Sequence, residues 1–103
     1  MKAVIDGLRY DTEAPRTERV ACYDNKYSTT DFQWWSACLY RTPSGRFFLH
    51  GEGGPMTRFS RRSGNTSTFG EKIVPLSETD ARVWCEQYAD PETIEKWFDV
   101  ADA

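Results

Sequence analysis

No run of apolar residues in this chain approaches the ~20 needed to cross a bilayer. Cysteine is sparse and never paired in a C-x-x-C spacing, so Cys22, Cys38 and Cys85 do not suggest a zinc site. Their odd number, and a Met1 that opens directly onto polar–apolar alternation with no leader pattern, are read as buried free thiols in a reducing cytoplasm. At 103 residues the chain has room for one modest core, and none for a cofactor domain beside a substrate domain. Histidine occurs once, as His50, with the carboxylate of Glu52 two positions on. That pair could do acid–base work, but Ser44, Ser60 and Ser63 lack the flanks of a nucleophile elbow. The run "GEGGP" after His50 has no lysine where a phosphate loop needs one. Pro55 falls where a dinucleotide-binding helix would have to continue. Neither a metal nor a cofactor is expected.

Aromatic residues, by contrast, are plentiful: four Trp, five Tyr and six Phe. So many rings exceed what a small core holds, and exposed, clustered rings are candidate contact surface. Charge is also uneven. Residues 1–40 carry five basic and six acidic side chains, residues 41–75 six and two, and residues 76–103 two and eight. A basic middle and an acidic tail favour a charged macromolecular partner over a neutral small ligand.

Periodicity divides the chain into a β-rich stretch, 1–75, and a helical one, 76–103, with no linker between them. "AVIDGLRY" reads as a short hairpin turning at Asp6-Gly7, or as one strand with a sharp turn there. Thr17 to Asp24 is a second strand candidate, and "NKYSTTD" a loop. Phe32 to Thr42 and Arg46 to His50 form the clearest hairpin, around Pro43 to Gly45. Residues 56–70 read as a strand or helical fragment followed by a loop, and Glu71 to Ser77 as a brief strand ended by Pro75. Ser77, three positions before Asp80, is a helix cap, with Leu76 and Ala81 as a weak staple. Ala81, Trp84, Cys85 and Tyr88 then fall on one helix face; Ile94, Trp97, Phe98 and Ala101 repeat that spacing behind Asp90-Pro91. The expectation is an α+β domain: a small antiparallel sheet of four or five strands, with helices over roughly 78–89 and 91–101 packed on one face.

Four features are candidates for function. The acidic faces of the two helices, with Glu86, Glu92, Glu95 and Asp99, could present charge to a protein groove. In "DFQWW" the adjacent Trp34 and Trp35 face opposite sides of a strand, so one is core and Trp34 is taken as an interface anchor. "RFSRR" sets Phe59 among Arg58, Arg61 and Arg62, a composition suited to a protein partner or to single-stranded nucleic acid. His50, Gly51, Gly53, Gly54 and Pro55 are read as a structural corner, the glycines supplying positive φ and His50 tying it down by hydrogen bonds.

Three segments, "GLRYDTE" (7–13), "LYRTPSGRFFLHGEGGP" (39–55) and "GEKIVPLSETDARVWCEQY" (70–88), resemble a family of small proteins common in bacterial mobile elements and phages. There a "YDTE" segment, a "LYRTxxGRxFLHGEGGP" hairpin and an "IxPL" helix start recur in this order. The resemblance covers most of the chain, which departs from the pattern at its Trp-rich 32–38 and Arg-rich 58–62. It implies a phage or mobile-element protein acting in the cytoplasm of a bacterial host. Anti-CRISPR proteins are of this size and habit, so the function implied is non-enzymatic inhibition of a host protein complex, such as a CRISPR–Cas effector. The alternatives are a nucleic-acid-associated regulator using the arginines, and a small enzyme built on His50 and Glu52.

Overall fold

A computed structural model describes Met1–Ala103. The centre is a four-stranded antiparallel sheet in the order β3-β4-β5-β8, formed by β3 (Glu18–Asp24), β4 (Trp35–Arg41), β5 (Phe47–Gly53) and β8 (Gly70–Leu76). Helices α1 (Glu78–Tyr88) and α2 (Pro91–Trp97) pack on one face. Two small hairpins complete the chain, β1 (Lys2–Ile5) with β2 (Leu8–Asp11), and β6 (Arg61–Ser63) with β7 (Thr66–Thr68). The expected α+β architecture is the one observed.

Alternation along β5 explains how so many rings are used. Phe47 and Leu49 point to the helices and join Val20, Ala37, Leu39, Phe59, Ala81, Trp84, Cys85 and Phe98 in the main core. Phe48 points the other way and is covered by Tyr10 of the N-terminal hairpin, with Ile73 beside it. Phe47 stacks on Phe98 at 5.3 Å, while Phe48 stacks on Tyr40 at 5.3 Å and meets Tyr10 edge-on at 5.4 Å. Burying each such ring contributes about 1.5–3 kcal/mol.

The turn at Asp6-Gly7 takes positive φ at both positions, 53° and 77°, which suits a tight two-residue hairpin. Ser77 caps α1 by accepting the Asp80 amide at 3.0 Å, and Asp90 caps α2 by accepting that of Thr93 at 2.8 Å. The second helix stops at Trp97 rather than reaching 101. Phe98 is extended and buried, and the exposed Asp99, Val100 and Asp102 offer no apolar face to support another turn. Strand β8 runs through Pro75 to Leu76 instead of ending there, because β8 is an outer strand and tolerates a missing donor. The arginine-rich stretch, expected to fade into a loop, closes into the β6–β7 hairpin.

Two of the three cysteines are not free thiols. Cys22 and Cys38 form a disulfide across β3 and β4; Cys85 alone is free, and it is buried. A bulge at Val20 makes this pairing. Arg19 opposes Tyr40, but the next pair is Ala21 with Leu39, so Cys22 falls opposite Cys38. Unbroken register would set Cys22 against Ala37 on the other face.

Candidate docking surface

Loops 25–34 and 54–60 are laced together at one end of the sheet. The Gly54 amide donates to the Trp34 carbonyl at 2.8 Å and the Met56 amide to that of Phe32 at 3.0 Å. Asn25 spans its own loop, its side chain donating to the Gln33 carbonyl at 2.8 Å and accepting from the Trp35 amide at 3.3 Å. Thr57 closes the second loop by donating its hydroxyl to the Gly54 carbonyl at 2.9 Å.

This lacing changes the reading of the glycine stretch. Gly51 and Gly53 lie inside β5, and neither they nor Gly54 has positive φ. They are glycines because of what touches them. A Cβ at Gly51 would meet the Phe59 ring, one at Gly53 the Thr57 hydroxyl and Trp34 carbonyl, and one at Gly54 the Phe32 carbonyl. The corner itself begins only at Gly54-Pro55. His50 stands mid-strand, paired with Cys38 and Ile73, and makes no tying hydrogen bond.

Phe59 is fully buried against Gly51, so the ring set among the arginines is a core plug and cannot stack on a base. Trp34 is 9% exposed and does not serve as a surface anchor. Because β4 begins at Trp35 rather than Phe32, the alternation expected of the two tryptophans does not govern Trp34.

What the surface does carry is a groove of about 410 Å³. Trp35, Trp84 and Tyr88 line it together with Met56 and Thr57, while Gln33, Arg58 and Gln87 add polar groups. Trp35 meets Tyr88 edge-on at 5.1 Å, and Tyr88 lies 5.2 Å from Trp84. A smaller depression of about 210 Å³, sharing Arg58, Trp84 and Gln87 with it, continues along α1 over Asp80 and Val83. Near the groove's loops, Phe32 is 59% exposed, Met56 66% and Phe69 42%, with Phe32 and Phe69 in edge contact at 6.2 Å. Aromatic, Met and Arg side chains in a concave patch are the composition of an interface centre.

The acidic residues named from sequence, Glu86, Glu92, Glu95 and Asp99, are all exposed. Arg58, Arg61 and Arg62 are exposed as well. None of these seven is ion-paired; the one ion pair in the chain is His50–Glu71. The acidic helices and the arginines therefore do not neutralise each other by direct contact.

Three rings of the groove, Trp35, Trp84 and Tyr88, escaped the sequence reading as contact residues. Trp84 and Tyr88 fall on the apolar face of α1 and read as core; Trp84 is buried, and the partly exposed edge of Tyr88 borders the groove only once loop 54–60 is placed. On the opposite sheet face, His50 faces Glu71 at 3.4 Å, not Glu52, so the carboxylate it meets is not its sequence neighbour. No helix is long and apolar enough to cross a membrane. No protein-family model, curated protein or solved structure matches the chain.

Proposed function

We propose that this protein is a non-catalytic inhibitor that occupies a site on a host protein complex, and that the complex is a CRISPR–Cas effector. The observation that carries the binding reading is the aromatic groove, ringed by Arg58, Gln33 and Gln87 and accompanied by four exposed, unpaired carboxylates. Rings desolvate on contact and supply affinity, while free carboxylates select a basic partner surface and speed the encounter. An effector that holds nucleic acid has such a basic channel. The biological setting comes from the resemblance to phage and mobile-element proteins. A stable complex needs roughly 800 Å² from each partner, which a domain of this size can supply.

The test is retention of a CRISPR effector complex on the tagged protein from a nuclease-treated bacterial lysate, followed by assay of target cleavage. Retention with loss of cleavage is the expected result. Retention that disappears with nuclease, or cleavage that proceeds unchanged at saturating protein, overturns the proposal.

A second reading rests on Arg61 and Arg62, which project unpaired from an exposed hairpin: a regulator that tracks a phosphate backbone. It requires oligonucleotide binding that weakens steeply with salt. Burial of Phe59 counts against it.

A further inference from the structure

The sheet face away from the groove holds a second cluster. Cys22 on β3, Cys38 on β4 and His50 on β5 stand in one cross-strand row, each opposite the next. Directly opposed residues on antiparallel strands have Cβ atoms about 4.5–5.5 Å apart on the same face, so the imidazole neighbours the Cys38 sulfur. Ser36, Glu52 and Glu71 form the adjoining row. The N-terminal hairpin covers Phe48 and Ile73 but leaves a depression of about 150 Å³, lined by Ser36, Cys38, His50, Glu52 and Glu71 among others. Cys22 is exposed and Cys38 half-buried. The His50 Nε2 is buried, lacks a hydrogen bond, and faces the Glu71 carboxylate at 3.4 Å.

We infer that Cys22, Cys38 and His50 form a thiol–disulfide exchange site for small thiols, independent of the docking surface. An incoming thiolate attacks the exposed Cys22 Sγ. A sulfur–sulfur bond forms to Cys22, the Cys22–Cys38 bond breaks, and the electron pair leaves on Cys38 Sγ. His50, facing Glu71 at 3.4 Å, gives that sulfur a proton. A second thiol then displaces Cys22 from the mixed disulfide. In sum two small thiols are oxidised to their disulfide, and Cys22 and Cys38 are reduced to thiols. The titratable groups facing His50 are Glu71 from β8, Glu52 from its own strand and Cys38 from β4; Tyr10 of the N-terminal hairpin lies one row away, over Phe48. Cys85 takes no part, being buried, with its thiol pushed up to about 11 by that burial and by the Glu86 charge.

The experiment treats the oxidised, full-length protein with reduced glutathione at neutral pH and follows adducts by intact mass. The expected result is a mixed disulfide on Cys22 formed in the folded protein, with His50→Gln slowing it about tenfold or more. Cys22→Ser exposes Cys38 as a thiol whose alkylation by iodoacetamide at neutral pH slows when His50→Gln is added. Should His50→Gln fail to fold, Glu71→Gln takes its place, with slower exchange expected. Adduct formation only in denaturant, exchange by the folded variants at the wild-type rate, or isolation of Cys22 and Cys38 as free thiols from air-oxidised protein would overturn the inference.

Discussion

The Phe59 ring fills the volume that a side chain on Gly51 would need. A Cβ there would stand 2.5 Å from two ring carbons and 2.9 Å from the Ala37 Cβ. Gly51→Ala is therefore expected to destabilise the protein by about 2 kcal/mol through overpacking of a filled core. Thermal denaturation measures this. Adding Phe59→Leu should recover part of the loss, whereas two independent defects would add.

Cys85 reports opening of the core. With its thiol pushed up to about 11, it is almost wholly protonated at pH 8. Alkylation of native protein at that pH should spare it, and labelling should follow unfolding. Its raised folded value also sets a sign. The contribution to stability is intact below the ordinary value of 9.0 and falls away as pH rises toward about 11, read as a decline in urea midpoint over that window.

Asp90 acts at the opposite end of the pH scale. The Thr93 hydroxyl and amide hold its carboxyl below the ordinary value of 3.8. The folded state gains from this ionised cap above the ordinary value, and the gain disappears as pH falls through the lowered one. Asp90→Asn should remove that acid-sensitive component while still capping α2, which denaturant titration between about pH 2 and about pH 5 would reveal. Ser77→Ala, by contrast, should cost about 1 kcal/mol at every pH, since a hydroxyl cap does not titrate there.

The acidic face and the groove make separable predictions. Glu92→Lys, Glu95→Lys and Asp99→Lys together alter only exposed side chains, so folding stability should change by no more than about 0.5 kcal/mol per site while effector binding is lost. Met56→Asp, on an exposed side chain at the groove, should weaken binding at least about tenfold through slower burial of the rings and faster release. Titration calorimetry of the folded variants against the purified effector separates the two effects.

The helices and their caps were readable because each signal is local. Ser77 lies three residues from the amide it accepts, and Ala81, Trp84 and Cys85 reach the core by simple spacing. Register is not local. The disulfide joins residues 16 apart, and only the bulge at Val20 brings them opposite each other. The glycines of "GEGGP" misled for a related reason. Glycine marks both left-handed turns and close approach, and the approaching groups, Phe59, Thr57 and Phe32, come from other loops. The groove was illegible for the same cause. It is assembled from residues 33–35, 56–58 and 84–88, which share no sequence pattern.

The order β3-β4-β5-β8 has a further consequence, in how the chain assembles. Two of the three pairings in the central sheet join strands adjacent in sequence, and both small hairpins close on themselves. Only the β5–β8 pairing must wait for an intervening segment, and the β6–β7 hairpin shortens the effective length of that closure. Entropic cost grows slowly with the length of chain to be closed. The topology therefore favours rapid folding for a β-rich domain, with docking of β8 and the helices behind it as the late event.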